Sequence, residues 1–163
     1  MQVIVDLRDL RSQLPNMLDA AGFQVDARTL EVGDYILSNE ICVERKSVQD
    51  FYQSAKSGRL LKQVTQMSRH YARPCVLLEF PEAGPFGLFD LPGQTDRGGI
   101  GYVAQLVLLA VNYPNISLIW SKSPRATVDL FKEVRESKTH LPYTQSSLTS
   151  SHIHEYVYLK AST

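Results

Sequence analysis

Several features that would each identify a class of protein are scarce in this sequence. Its 163 residues include only two cysteines, Cys42 and Cys75, which argues against a disulfide-built scaffold and favours reduced thiols inside the cell. Seventeen basic and seventeen acidic residues give a formal net charge of zero, whereas a domain that binds DNA by charge alone is usually basic. The balance argues against a free-standing DNA binder, but not against a catalytic module that something else brings to its substrate.

Signals for membranes, zinc and nucleotides are also missing. The sequence has no apolar run of about 18 residues and no secretory or lipidation motif, so we expect a soluble intracellular protein with no membrane partner. Four histidines lack the spacing of zinc ligands. The glycines of segment 84–101 lack the lysine and hydroxyl residue of a Walker loop, which predicts a surface loop. No cofactor beyond a divalent cation is indicated.

The hydrophobic pattern alternates between strand and helix periods, which predicts an α/β fold with a central mixed β-sheet flanked by α-helices on both faces. Strands are predicted at 3–7, 23–30, 35–38, 41–46, 75–80 and 117–120, and helices at 12–21, 47–55, 59–71, 102–112 and 124–137. Residues 1–138 form one domain in this interpretation. Residues 139–163 are rich in Ser and Thr and are predicted to be a poorly ordered tail or linker, in which 153–159 could form a short strand.

The segment 32–46 carries the clearest chemistry. A hairpin with its turn at 38–40 brings Asp34 alongside Glu44. Because side chains alternate along a strand, Glu44 and Lys46 share one face while Arg45 points to the other. Charges on a hairpin often lie on a solvated face. Two carboxylates and an amine in one patch can also hold a divalent cation and handle a water molecule, as in a metal-dependent phosphodiesterase.

A longer string of motifs favours the catalytic interpretation. It consists of Gly33-Asp34-Tyr35, then Val43-Glu44-Arg45-Lys46-Ser47, then Asp50, and then Gly58-Arg59-Leu60 with Gln63. This string resembles the nuclease domain of the XPF family of structure-specific DNA endonucleases, and is most similar to its excision-repair branch. The resemblance runs over about residues 3–138 and includes Val5-Asp6-Leu7-Arg8. It implies a restriction-endonuclease-like core.

The resemblance also implies roles for individual residues. Asp34, Glu44 and Asp6 would bind Mg²⁺ or Mn²⁺, since these cations prefer oxygen ligands. Lys46 would orient the attacking water and offset charge on the phosphate, and Arg45, Arg8 and Asp6 complete the catalytic set. For Asp6 the alternative is a turn or capping aspartate before the first helix. The family usually has Glu where this chain has Asp9, so the role of that shorter acid is open.

The remaining charged residues leave alternatives. Arg8, Arg11, Arg59 and Lys62 are predicted to contact DNA phosphates. A solvated helix charge explains Lys62 equally simply, and explains Arg59 less well. The sequence does not show why an arginine side chain is needed at position 45. A buried ion pair with Glu31 is one candidate for its role. Asp50 matches the last acid of the family signature, but Ser47 and Asp50 also form a capping pattern. We favour the capping role for Asp50.

The resemblance implies a nuclear endonuclease that cuts one DNA strand near a junction of duplex and single strand, on its 5′ side. It implies work in nucleotide excision and crosslink repair, and a heterodimer with a catalytically silent homologue. One alternative is a silent nuclease-fold scaffold that dimerises with an active partner, but such scaffolds lose the acids and the lysine present here. A free-standing restriction-like or Holliday-junction nuclease is disfavoured by the neutral charge.

Two helices are more apolar than one buried face requires. The first is predicted at 102–112, and the second presents Val128, Phe131 and Val134. Part of this surface could be core. An exposed patch of this kind usually marks a protein interface, and the family dimerises through its nuclease domains. We therefore expect the isolated domain to form a two-fold homodimer.

Overall fold

A computed structural model of the chain describes residues 1–81, 99–136 and 156–160. The strands are β1 Gln2–Asp6, β2 Gln24–Arg28, β3 Tyr35–Ile36, β4 Ile41–Ser47, β5 Arg73–Glu79, β6 Ser117–Ser121 and β7 Tyr156–Lys160. The helices are α1 Leu14–Ala20, α2 Val48–Lys56, α3 Arg59–His70, α4 Gly99–Asn112 and α5 Pro124–Glu136, and a 3-10 turn spans Leu7–Arg11. Helices and strands alternate as the sequence pattern predicted.

The strands form one mixed sheet in the order β2-β1-β3-β4-β5-β6-β7. The pairs β1–β2, β4–β5 and β5–β6 are parallel, and the pairs β1–β3, β3–β4 and β6–β7 are antiparallel. Strand β4 lies in the middle of the order and pairs with β5 from Ile41–Arg73 to Ser47–Glu79. The prediction of a central mixed sheet flanked by helices is confirmed.

Two hydrophobic cores lie on opposite faces of this sheet. One packs α1 and α5 against the strands and includes Val43 and Leu77, whereas the other packs α2, α3 and α4 and includes Cys42 and Val76. Residues that alternate along β4 therefore enter different cores. Odd-numbered positions of β4 face α1 and α5, and even-numbered positions face the α2–α4 side. This alternation separates Arg45 from Glu44 and Lys46.

Helix α5 belongs to the first core. Val128, Phe131 and Val134 are each 5% exposed or less, and the Phe131 ring meets the ring of Tyr35 edge to face with centroids 5.4 Å apart. Burying such a side chain contributes about 1.5–3 kcal/mol. The prediction that these three residues add to an interface is therefore wrong, because their side chains are buried in the core of the domain.

Helix α4 behaves differently from α5. Leu106 and Leu109 are buried, whereas Val107, Leu108 and Val111 are 54%, 53% and 72% exposed. Among the described side chains of α4, these three are the large apolar residues available to a partner, and the smaller Ala104 is exposed beside them. Within the described parts of the chain, no helix combines the length and apolar content needed to cross a bilayer.

Local signals set several element boundaries. The Ser47 hydroxyl oxygen accepts a hydrogen bond from the Asp50 backbone N–H at 3.1 Å and so caps α2, which satisfies one of the free N–H groups of the first turn. The exposed Asp50 carboxylate lies in that turn, where the helix dipole favours a negative charge. The predicted N-cap at Ser47 is confirmed, whereas the capping role favoured for the Asp50 side chain stays a prediction.

Two sequence boundaries differ from the structure. Helix α4 begins at Gly99, so the loop predicted over 84–101 is wrong for its last three residues, and 84–98 lie outside the described residues. Strand β7 Tyr156–Lys160 pairs antiparallel with β6, so the sheet continues beyond the predicted domain end at 138. The strand considered at 153–159 therefore exists, whereas the tail or linker interpretation stays a prediction for 139–155 and 161–163.

Candidate active site

A tight turn before β3 sets the position of Asp34. Gly33 has a φ of +74°, a conformation that side chains with a Cβ rarely adopt. A Cβ at this position would lie 2.2 Å from the Cys42 sulfur. The next residue is tied directly to β4, because the Asp34 backbone N–H donates to the Val43 carbonyl at 2.9 Å. The turn therefore needs glycine both for its φ angle and for its close approach to β4.

The Asp34 carboxylate is held against β4. Its Oδ2 atom accepts a hydrogen bond from the Arg45 backbone N–H at 2.8 Å. Burial, and next the negative charge of Glu44, raise the pKa of Asp34 to about 7. Tyr35 pairs with Val43 in the antiparallel β3–β4 register, so Asp34 and Glu44 are the next residues beyond that pair, and both line the cleft described below. Such a pair is costly when both members are ionised without a cation.

Glu44 is buried on β4 and receives two donors on one oxygen. Lys46 Nζ lies 2.5 Å from Glu44 Oε1, and Gln63 Nε2 of α3 lies 2.5 Å from the same atom. Glu44 and Lys46 are only 2% and 6% exposed, so the ion pair is shielded from water. The prediction that these two side chains share a face of β4 is confirmed.

Gln63 received no role from the sequence, although it stands in the family string. The spacing of apolar residues along α3 could have indicated a role for Gln63. Leu60, Val64 and Met67 are the buried residues of this helix, and Gln63 lies three positions after Leu60 and four before Met67. An amide on that apolar face is an unusual choice unless it has a polar partner in the interior.

Asp6 is fully buried, but its oxygens are already occupied. Oδ1 accepts from the Arg8 backbone N–H at 2.8 Å and from Arg8 Nε at 2.6 Å, and Oδ2 accepts from Arg8 Nη2 at 3.0 Å and from the Leu30 N–H at 2.8 Å. The Arg8 hydrogen bond is the main reason that the pKa of Asp6 is lowered to about 2. Asp6 caps the 3-10 turn and does not line the cleft described below. The capping alternative for Asp6 is therefore confirmed, whereas its predicted roles in metal binding and catalysis stay predictions.

The Arg45 side chain joins a network on the opposite face of the sheet. Its Nη1 lies 3.1 Å from Asp9 Oδ1, and its Nη2 donates to the Glu79 carboxylate. The buried Tyr35 hydroxyl also donates to Asp9. The predicted ion pair with Glu31 is therefore wrong. The alternation of β4 explains why, because it directs Arg45 to the face on which Glu79 follows Leu77 at the end of β5.

The network gives Asp9 and Arg45 structural roles. Asp9 links the 3-10 turn after β1 to both β3 and β4, although it is shorter than the usual family residue. Arg45 is anchored by two acids, and its backbone N–H holds Asp34. The guanidinium of Arg45 thus contacts carboxylates rather than standing free for a phosphate. Glu79 could have been suspected from the sequence, as a charge that ends an otherwise apolar strand.

The acids open onto a cleft of about 500 Å³. Its lining includes Asp34, Glu44, Lys46 and Gln63, and its basic residues besides Lys46 are Arg8, Arg45, Arg59 and Lys62. Arg8, Arg59 and Lys62 are exposed, so three of the four residues predicted to bind DNA do flank the acids. Arg11 does not line this cleft. Arg59 also donates to the buried Ser54 hydroxyl, from Nε at 3.2 Å and from Nη2 at 2.7 Å.

The donor set of the cleft suits a hard divalent cation. Mg²⁺ is usually bound by one or two carboxylates and otherwise by waters and substrate phosphate oxygens, and Asp34 and Glu44 supply two. No cluster of three or more His, Cys, Asp or Glu residues able to hold a metal occurs within 1–81, 99–136 and 156–160. Cys42 and Cys75 are free and buried, and burial raises the pKa of the Cys75 thiol to about 12. These thiols are packing groups and not metal ligands.

A mixed sheet with two acids and a lysine on its central hairpin defines a domain of the restriction-endonuclease-like class. Residues 5–134 match the ERCC4 domain. The chain therefore belongs to the ERCC4 domain family, and the predicted relation to the XPF nuclease domain is confirmed.

Relatives and solved structures agree with this assignment. The chain is 45% identical over 153 residues to "DNA repair endonuclease XPF" of Drosophila melanogaster, which covers 91% of the chain and 16% of the fly protein. It is 44% identical over 138 residues to "DNA repair endonuclease UVH1" of Arabidopsis thaliana, which covers 84% of the chain and 14% of the plant protein. The chain thus spans about a sixth of the length of these curated relatives.

Among solved structures, XPF from Aeropyrum pernix in complex with DNA superposes with a TM-score of 0.70 at 32% identity. That match covers 83% of this chain and 63% of the archaeal chain. A second structure of XPF from Aeropyrum pernix gives a TM-score of 0.72 at 30% identity, over 83% of this chain and 64% of that chain. The restriction-endonuclease-like core predicted from the sequence is thereby confirmed.

Proposed function

We propose that the chain is the nuclease module of a structure-specific DNA endonuclease that uses Mg²⁺ or Mn²⁺. The observation that carries the proposal is the convergence of Asp34, Glu44 and Lys46 in one cleft, flanked by Arg8 and Lys62. The alternative of a silent scaffold is disfavoured, because a scaffold has no need for a buried pair of acids with a lysine. Burying such charges is costly unless they serve a purpose.

Asp34 and Glu44 are the residues that would hold the cation. When bound, the cation supplies positive charge that polarises the phosphate and lowers the pKa of water. Lys46 keeps its ammonium beside Glu44, where it can orient the attacking water and offset the charge that develops on the phosphate. Arg8 and Lys62 would bind neighbouring phosphates of the strand, while Arg45 keeps Asp34 in position through its backbone N–H.

The proposed substrate is branched DNA at a junction between duplex and single strand, cut in one strand on the 5′ side. The similarity to DNA repair endonucleases of the fly and the plant supports a role in DNA repair, and an archaeal relative has been solved with DNA. We extend this to nucleotide excision and crosslink repair in the nucleus. The formal charge of zero supports delivery to DNA by other parts of a larger assembly.

A second subunit is part of the proposal. In the assembly the partner would be a catalytically silent homologue, and in isolation a second copy of this chain would take its place. The exposed apolar residues Val107, Leu108 and Val111 of α4 support an interface at this helix. A closed two-fold arrangement is the commonest symmetry for such a pair.

A cleavage assay tests the proposed activity. A splayed-arm duplex labelled at one 5′ end is incubated with the chain and Mn²⁺ or Mg²⁺, beside Asp34→Asn and the exposed control Asp19→Asn. We expect cleavage near the junction by wild type and Asp19→Asn, and no cleavage by Asp34→Asn. Equal cleavage by both variants would remove Asp34 from the site, and inactivity of the wild type with its silent partner present would favour the scaffold.

A further inference from the structure

Gln63 makes an unusual contact for a residue on the apolar face of a helix. Its amide nitrogen lies 2.5 Å from Glu44 Oε1, and the orientation of the amide follows from chemistry. An ionised carboxylate only accepts hydrogen bonds, so the amide must turn its NH₂ group, and not its carbonyl, towards Glu44. The contact is therefore a donated hydrogen bond to a buried acid.

The other end of the Gln63 amide has no partner among the described residues. Gln63 Oε1 is buried, and no donor in the described part of the chain reaches it. Leaving a buried carbonyl without a donor is unfavourable. A glutamine that served only to stabilise the fold would not be expected to keep one half of its amide unsatisfied. The contact with Glu44 is the one that fixes this side chain.

The two donors to Glu44 leave its oxygens in different environments. Lys46 Nζ and Gln63 Nε2 both donate to Oε1. Among the described residues, no hydrogen-bond donor contacts Oε2. The two donors come from different elements, β4 and α3, and so restrain the carboxylate from two directions. This arrangement fixes the rotation of the carboxyl group and keeps Oε2 as the oxygen that can serve a cation.

We propose that Gln63 is a positioning residue that orients Glu44 for binding a divalent cation. The inference rests on the proposed function, because Glu44 matters in this way only if the cleft takes a metal. Partners that orient metal-binding side chains typically change metal affinity 10- to 100-fold when they are removed. Gln63 reaches Glu44 from α3. The residues predicted to act together with Glu44, which are Asp34 and Lys46, belong to the β3–β4 hairpin.

The test is a Mn²⁺ titration of the whole chain, followed by the electron paramagnetic resonance signal of free Mn²⁺. Gln63→Met keeps a similar volume and removes both halves of the amide. Gln66→Met is the matched control, since Gln66 lies one turn further along α3 and lines the same cleft. We expect Gln63→Met to raise the Kd for Mn²⁺ roughly 10- to 100-fold, and Gln66→Met to leave it unchanged.

Thermal melting without metal separates positioning from a structural role. We expect Gln63→Met to melt no lower than wild type, because the variant no longer buries an unsatisfied carbonyl. A lower melting temperature combined with an unchanged Kd would overturn the inference and assign Gln63 to the fold. Should Gln63→Met not fold, Gln63→Asn keeps the amide but shortens its reach, and the same rise in Kd is expected.

The outcomes distinguish this inference from the proposed function. If the wild type binds no Mn²⁺, the metal site itself fails and the role of Gln63 fails with it. If the wild type and Gln63→Met bind Mn²⁺ equally, only the inference fails. Cleavage of splayed-arm DNA gives a further check, since activity of Gln63→Met should recover as Mn²⁺ is raised to saturation. Activity that stays low at saturating Mn²⁺ would contradict a role through affinity.

Discussion

Replacing Asp34 by asparagine should make the metal-free domain more stable at neutral and alkaline pH. The carboxyl is held in a setting that disfavours its charge, first through burial and next through the nearby Glu44, and its pKa is raised to about 7. Asparagine has the same shape and keeps an oxygen that can accept the Arg45 backbone N–H. The substitution therefore removes an unfavourable charge while retaining the hydrogen bond.

The sign and the pH range follow from linkage. In the unfolded chain the carboxyl ionises with its ordinary pKa of 3.8, whereas in the fold it keeps its proton up to about pH 7. Wild type therefore loses stability progressively as pH rises between these two values, and the loss is complete above the folded pKa. The separation corresponds to roughly 4 kcal/mol as an upper limit, at 1.36 kcal/mol for each pKa unit. Local relaxation will reduce this, and we expect about 2–4 kcal/mol at pH 8.

The assay is urea unfolding in EDTA at several pH values between 4 and 8.5. The difference between Asp34→Asn and wild type should be close to zero at pH 4 and should reach its plateau near pH 8. In thermal melts this corresponds to a rise of about 2–4 °C for each kcal/mol in a chain of this size. Asp19→Asn, an exposed change at the end of α1, should show no such pH dependence.

Saturating Mn²⁺ should reverse the order. A cation at 1,000 times its Kd stabilises the protein that binds it by about 4.1 kcal/mol, which exceeds the expected gain of the variant, and only the wild type keeps both carboxylates. An Asp34→Asn variant that is no more stable than wild type at pH 8 in EDTA would refute the reasoning. That result would mean that water or another group solvates Asp34 in the folded state.

Three further predictions concern the active-site lysine, the Gly33 turn and the α4 surface. Lys46→Met should lower cleavage at saturating Mn²⁺ by at least about 100-fold, a typical loss for a group that stabilises transition-state charge, while Mn²⁺ titration still detects binding. Gly33→Ala should lower the free energy of unfolding by about 3 kcal/mol or more, because strain at positive φ adds to a clash with Cys42. Gly58→Ala has a similar φ of +73° in open space and should cost only about 1 kcal/mol in the same denaturation series. Sedimentation should show a concentration-dependent dimer that Val111→Asp dissociates without lowering the melting temperature, and a strictly monomeric wild type at high micromolar concentration would contradict the interface.

The pattern of β4 was sufficient to predict which charged residues act together. Alternation along a strand has a period of two, so Glu44 and Lys46 had to share a face and Arg45 had to leave it. The short hairpin likewise fixed Asp34 beside Glu44, because few residues separate the two strands. Local geometry decided these relations, and local geometry can be read from sequence.

Relations between distant segments were decided by the tertiary structure. Asp9 and Glu79 lie on either side of Arg45 only because the 3-10 turn after β1 and the end of β5 meet on one face of the sheet. On the sequence alone, Glu31 had been one candidate for this ion pair. The contact of the Asp6 carboxylate with the Leu30 N–H was hidden for a similar reason, since the two residues are 24 positions apart in the chain. Composition and spacing do not specify which of several acidic residues forms an ion pair with a given arginine.

The apolar helices illustrate the same division. Both α4 and α5 carry more apolar residues than one face needs, and the pattern treats them alike. Packing separates them, because α5 lies beside α1 on one face of the sheet and buries Val128, Phe131 and Val134, whereas α4 leaves Val107 and Val111 exposed. The period of a helix determines which residues share a face. Which faces are covered depends on the elements that the rest of the chain packs against them, and only the folded structure determines that.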